Sequence, residues 1–591
     1  MVNFKSALTI IIPTIILALV VAGMANAHYP NEQHDDASVN KVVSEPELDT
    51  RFLTSSSVTP QMFGAKADGK HDDTEAIKKA CSVQADTLFF PKGIYIINIE
   101  EGIDIKKDKV FFNPIAEIII GESRSETVIR LGKDNGDAAA KKGFESIFSF
   151  GGKNAHPEIR NITFDFNYKD NPITQYTSNN VGVEHNGQQM AINAHRVSSL
   201  VVDSCTFIDH SGTNCIDYRA NAESDTLFCN ISNCHFLGIG KKSFYKGKEA
   251  YHDCSTLALH CDSRKQIKRF VCTVTNCQFY GVGGNAFDAC ECSADSFLFK
   301  NNVVDGYVVG VMPLTSNSRT KAFIKNNEFK SVARGVGIWS NNNDIEQPIG
   351  TEGFGILDIS KNRIIIDINK FIHRPYFATI NKKTNTIYPG GYYAAICNMG
   401  NWTKSVGIIS ITENEIEYKD CGTLSYKEFT SGVNVYNGAV VGFHILFEGE
   451  PNEAYCRSFA FNNNTIKNPV STIIRLVPFN EINALFFENN KIYNCWQRSS
   501  EEVKNDGLVS VHTAIYPGMY KVLWNNFSFC GNYIDYPYSP SDYATVFIRT
   551  SAMNNVNNSS IQIKNNTVKQ SRYGLFRQNN LVPTFSNVII E

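Results

Sequence analysis

Three short segments in the middle of the chain each set an ionisable side chain beside an apolar one. They are Asn214-Cys215-Ile216-Asp217-Tyr218-Arg219, Leu257-Ala258-Leu259-His260-Cys261-Asp262 and Asn285-Ala286-Phe287-Asp288-Ala289-Cys290. Read as strands with Ile216, Leu259 and Phe287 turned inward, they place Asp217, His260 and Asp288 on one outer face, one per strand. Two carboxylates flanking an imidazole suit acid–base work: one carboxyl donates a proton, the other activates water, and the histidine relays a proton or binds substrate. Stacked two strands apart, the aspartates stand roughly 9–10 Å apart at the backbone, close to the roughly 6.5–9.5 Å between the carboxyls of an inverting glycosidase. Arg219 and Asp262 share that face two residues on, and Arg219 suits a sugar carboxylate. His235 and Lys241 complete the candidate substrate contacts at its edges. The same groups suit a lyase acting on a uronic acid, with Arg or Lys as base and carboxylates holding Ca2+. Ca2+ enters only in that variant, and no other cofactor is expected. The competing structural reading is an exposed polar ladder that keeps a sheet soluble.

Such a face needs a scaffold that repeats strands at a fixed register, and the chain supplies a repeat. A four-residue signature begins at Asn161, Ser204, Asn233, Asn276, Asn301, Asn326, Lys361, Glu413, Asn463, Asn489, Gly531 and Asn565, as in Asn276-Cys-Gln-Phe279. The shortest start-to-start spacings are 25 and 26 residues, and the longer ones, up to 52, read as coils with insertions. One coil cannot bury its own apolar side chains, so coils must stack, about 4.8 Å apart. Asn at the turns tolerates left-handed backbone and can build side-chain ladders. If the fourth signature residue points inward, so does the second, which puts Cys205, Cys234 and Cys277 in one internal column. That column is either a stack of buried thiols or one disulfide with one thiol left over. The Tyr245–Asp253 insertion and a dense group of histidines between residues 185 and 260, His195 and His210 among them, adjoin the candidate face. Tyr307 and Trp339 are candidates to stack on a sugar ring.

Composition agrees with this organisation. The 591 residues are 42% hydrophobic and 19% charged, enough to build a core. A net charge of −3 argues against a dedicated nucleic-acid binder. Lys5, the apolar run 7–22 and Ala25-Asn26-Ala27 read as a signal peptide over 1–27, followed by a flexible leader over 28–57 and one domain over 58–591. Export to a periplasmic, surface or extracellular location follows, with no membrane span in the mature chain. Ten of the 16 cysteines fall between Cys205 and Cys292, and in an exported chain some are expected to be oxidised.

The domain opens on Phe63-Gly-Ala-Lys-Ala-Asp68-Gly-Lys-His-Asp72-Asp73-Thr-Glu75-Ala-Ile77, followed by Phe90-Pro-Lys-Gly-Ile-Tyr95. Asp72 and Glu75 fit a capping box for a short helix, 74–83. This order resembles the opening of the pectate-lyase-like right-handed β-helix superfamily, where FGAxxDGxxDDTxAIxxA precedes FPxGxY, over residues 62–96. The resemblance implies an all-β, right-handed, single-stranded parallel β-helix whose N-terminal end is closed by this segment, with Asp72 and Asp73 structural. It implies a secreted enzyme that cleaves a pectin-like or other uronate-containing polysaccharide, by hydrolysis or β-elimination. The alternative is a non-catalytic adhesin, carbohydrate-binding or spike-like surface protein on the same scaffold.

Overall fold

In a computed structural model, the described residues are 56–98, 110–133, 135, 146–152, 155–172, 190–212, 214–220, 227–241, 243–245, 248–250, 254–261, 269–282, 286–315, 320–340, 355–367, 379–381, 386–388, 394–398, 406–419, 441–444, 455–469, 473–477, 481–494, 509–512, 523–535, 546–549, 560–569, 576–578 and 588–590. The segments expected to be a signal peptide, 1–27, and a leader, 28–57, lie outside them except for residues 56 and 57. No helix among the described residues is long and apolar enough to cross a membrane.

The chain winds through three parallel sheets in turn. Among the described residues these hold 16, 15 and 14 strands, and successive coils supply successive strands of each sheet. Every signature is the corner between the first sheet and the second. Its first residue is left-handed in all twelve coils, from φ 53° at Ser204 to φ 67° at Gly531. That requirement explains the Asn preference: a short polar side chain tolerates this backbone better than a larger one. The fourth residue points inward as expected. Phe164, Phe207, Phe236 and Phe279 stack ring on ring, with centroids 5.2, 4.8 and 4.7 Å apart. The result is the right-handed parallel β-helix expected from the repeat.

The second signature residue forms the column beside this stack. Cys205, Cys234 and Cys277 are fully buried in it, as the sequence predicts. Below them the column continues as asparagine: Asn302, Asn327, Asn362, Asn414, Asn464, Asn490, Asn532 and Asn566. The Asn302 backbone N–H donates to Asn327 Oδ1 at 2.9 Å, and the next six coils repeat the bond at 2.9 to 3.0 Å. Each Nδ2 also donates to a carbonyl of the preceding coil, as Asn464 does to Ile411 O at 2.9 Å. The expected asparagine ladder therefore exists, but inside the solenoid, where each amide meets polar groups that the turn leaves unpaired.

The helix at the N-terminal end is Thr74–Cys81, burying Ala76, Ile77, Ala80 and Cys81. It stops two residues before the expected end because Ser82 caps it, with its hydroxyl donating to Lys79 O at 2.8 Å. The capping box does not form. Asp72 Oδ1 instead accepts from the Thr74 N–H and hydroxyl, and Glu75 pairs with Lys78 at 3.0 Å. Asp73 accepts from the Lys66 and Ala67 amides, so both aspartates fasten the turn.

Candidate functional site

The third sheet carries the site, on the strands Met190–Val197, Ile216–Ala220, Cys254–Cys261 and Ala286–Cys292. Ile216 pairs with Leu257, and Leu257 with Cys290; all three are buried on the inner face. The neighbouring outer row therefore reads Asn193, Asp217, Ala258, Glu291, Met312. The next outer row reads His195, Arg219, His260.

Asp217, His260 and Asp288 thus do not form the single column that the sequence suggested, for two reasons. Leu259 lies opposite Tyr218 rather than Ile216, so His260 keeps its outward face but stands opposite Arg219. Further on, Cys254 pairs with Ala286 while Ser255 pairs with Asp288, so Phe287 is an extra residue. One extra residue reverses the face of every residue after it on the strand. Asp288 is accordingly fully buried, and its Oδ2 accepts a 2.6 Å bond from the Ser255 hydroxyl. Glu291 takes the outward place expected of Asp288.

Two ionic groupings result. Asp217, only 6% exposed, accepts from Arg219 Nε at 2.8 Å and from its terminal nitrogen at 3.4 Å, and His195 Nε2 lies 3.5 Å away. Burial alone would raise its pKa, but His195 and Arg219 outweigh it and hold the carboxyl below the ordinary range. His260, one coil on, has its Nε2 2.6 Å from Oε1 of Glu291, two coils on, with both side chains mostly buried. Between the two carboxylates the row holds only Ala258.

The remaining expected contacts separate. His235 lies in the second sheet, opposite Thr206 and Gln278, where burial and then Arg124 lower its imidazole pKa. Lys241 lies past the following turn, 2.9 Å from Asp209 Oδ1 and 5.7 Å from the Tyr168 ring centre. Asp262 is outside the described residues. Tyr307 is fully buried and shares a 2.9 Å hydrogen bond with Thr256, so it offers no face to a sugar. Trp339 lies in a third-sheet strand, with its side chain outside the described set. The insertion forms an antiparallel hairpin, Ser243–Tyr245 with Lys248–Ala250, leading into the strand that bears His260. Glu291 is the residue that sequence reasoning missed. Its one signal is the match of Leu257-Ala258-Leu259 to Cys290-Glu291-Cys292, apolar residues flanking an outward position.

These residues do not make a calcium site. Asp217 is committed to a guanidinium and Glu291 to an imidazole, Asp288 faces inward, and among the described residues no three His, Cys, Asp or Glu side chains converge as metal ligands.

No protein-family model matches the chain, and no curated protein sequence does. Several solved structures are similar in part. A surface adhesin of Streptococcus pneumoniae, PfbA, is similar at 15% identity over 75% of this chain and 93% of that one, with a TM-score of 0.43. An N-terminal fragment of the bacteriophage Phi29 gene product 12 matches at 13% over 87% and 71%, TM-score 0.45. A tailspike protein mutant of E. coli bacteriophage HK620, solved with a pentasaccharide, matches at 11% over 88% and 72%, TM-score 0.44. The parallel β-helix itself rests on the three stacked sheets described above.

Proposed function

We propose that this chain is an exported, polysaccharide-acting β-helix that hydrolyses a glycosidic bond held between Asp217 and Glu291. The observation carrying the reading is the outer row in which these carboxylates flank Ala258. Two strand spacings set their backbones roughly 9–10 Å apart, a separation that leaves room for a water beside a sugar ring, as inversion requires. Asp217, held ionised, is suited to activate that water. It is the less suited of the two to be the acid, since His195 and Arg219 lower its pKa against the effect of burial. Glu291 and His260 share a short hydrogen bond, and that pair is the proton donor to the departing sugar oxygen. The adjoining row of His195, Arg219 and His260 supports a uronate-containing substrate. A lyase fits less well, because Arg219, the base it would need, is paired with Asp217. The apolar N-terminal run with its small-residue cleavage pattern supports export, and the net charge of −3 gives no support to a nucleic-acid partner.

The test is a panel of acidic and neutral polysaccharides, followed by reducing-end release and by the ultraviolet absorbance of unsaturated uronates. Reducing ends without that absorbance are expected. Asp217→Asn and Glu291→Gln should each slow release about 10²–10⁴-fold with an unchanged fold. Binding without cleavage, equal in parent and both variants, would replace the enzyme reading with that of an adhesin or carbohydrate-binding protein.

A further inference from the structure

The buried cysteines fall into chemically different groups. In the signature column each thiol is occupied along the axis. The Ile162 amide hydrogen-bonds the Cys205 sulfur, and the Cys205 amide does the same to Cys234. The Cys234 thiol donates to Ser232 O at 3.1 Å and Val202 O at 3.6 Å, and Cys277 to Thr275 O at 3.3 Å and Ile231 O at 3.8 Å, so these two thiols touch one another but are also tied to backbone carbonyls. A disulfide within this column would remove the donors and leave buried carbonyls unmatched. Cys229 and Cys272 differ. They are direct partners on the neighbouring first-sheet strands Leu227–Ser232 and Phe270–Thr275, both facing inward. Their thiol hydrogen bonds run to one another and, from Cys272, to Cys292. Adjacent strands hold such Cα atoms about 4.8 Å apart, inside the roughly 4.4–6.8 Å span of a disulfide.

We propose that Cys229 and Cys272 are a disulfide site, closed while the chain folds in an oxidising compartment, and that Cys205, Cys234 and Cys277 remain thiols. The oxidant is a small-molecule disulfide of the glutathione type. The Cys229 thiolate attacks it and releases one small thiol. The Cys272 thiolate then attacks the Cys229 sulfur of the mixed disulfide and expels the second. Two protein thiols lose their protons and two electrons, and the oxidant is reduced to two thiols. Both sulfurs are buried once the coils stack, so the reaction precedes closure of the solenoid. The bond ties neighbouring coils without disturbing the ladder beside it.

The test is refolding of the full chain with a reduced and oxidised glutathione pair, alkylation of remaining thiols, and digestion without reductant. A peptide joining 229 to 272 is expected, with 205, 234 and 277 alkylated. Reductant should lower the urea midpoint of the oxidised protein, and Cys229→Ser should abolish both the peptide and that sensitivity. Alkylation of both 229 and 272, a link from 272 to 292, or a link within the signature column would overturn the proposal. If Cys229→Ser does not fold, the peptide map of the parent decides alone.

Discussion

One internal column is built from thiols in its N-terminal coils and from amides in its later coils, and the difference shows what a solenoid corner requires. Every coil turns through a left-handed residue, which leaves a buried N–H and a buried carbonyl beside it. An asparagine meets both and also bonds the next asparagine. Asn464, for example, accepts from the Asn414 amide at 2.9 Å, donates to Ile411 O at 2.9 Å and reaches Asn490 Oδ1 at 3.2 Å. A cysteine meets the same two groups with one sulfur, through longer and weaker bonds. The thiol section satisfies the corner with a Cys234–Cys277 contact in place of the continuous side-chain chain that links the amides.

The largest effect should come from breaking the ladder. Asn464→Leu strands the Asn414 amide and the Ile411 carbonyl, and at about 1–3 kcal/mol for each unmatched group it should cost about 2–6 kcal/mol in urea unfolding. Cys234→Ala, which removes only sulfur bonds, should cost less than half as much; an equal loss would mean that the two sections are equivalent. A swap across the junction sharpens the contrast. Asn302→Cys should cost about 1–3 kcal/mol, because the Cys277 amide, now 2.8 Å from Asn302 Oδ1, is left with a sulfur acceptor. Cys277→Asn extends the ladder by one rung and should stay within about 1 kcal/mol of the parent. The turns give a smaller effect. Lys361 and Glu413 hold φ 58° and 56°, and Gly at either should stabilise by about 1 kcal/mol, whereas Asn301→Ala should destabilise by about 1–2 kcal/mol.

The smallest effect depends on pH and belongs to the outer face. Asp217 is held below its ordinary 3.8 in the folded chain, so folding favours its ionised form. That contribution is complete above 3.8 and is lost as pH falls from there through the folded value. As pH falls below about 4, the parent should lose more urea stability than Asp217→Asn. Parallel decline of the two would show that Arg219 and His195 do not bias this carboxyl.

The fold was legible because its cause recurs in every coil. The left-handed corner selects Asn, the inward fourth position selects Phe, Ile or Val, and twelve repetitions turn both preferences into a pattern. The thiol column followed from the same alternation. The site was legible only in part. Asp217 and Arg219 could be paired from their spacing, two residues apart on one strand, and His260 kept its outward face. Asp288 and Glu291 exchanged roles because a single bulge at Phe287 reverses the face, and a bulge leaves no periodic trace in one sequence. The 43-residue step from Asn233 to Asn276 carries the hairpin insertion, so no fixed coil length could restore the register.

The amide stack also has a direction. From Asn327 onward each Nδ2 points to the Oδ1 of the next coil, through Asn362, Asn414, Asn464, Asn490 and Asn532 to Asn566. The side-chain dipoles therefore add head to tail, as peptide dipoles do in a helix. The oxygen end faces the cysteines, and the amino end faces the last coils. The column is thus an aligned electric element running along the solenoid axis, and reversing any one amide would set two oxygens against each other on one side and two amino groups on the other. Each rung fixes the orientation of the next, so the corner chemistry of one coil is transmitted to its neighbours as polarity as well as shape.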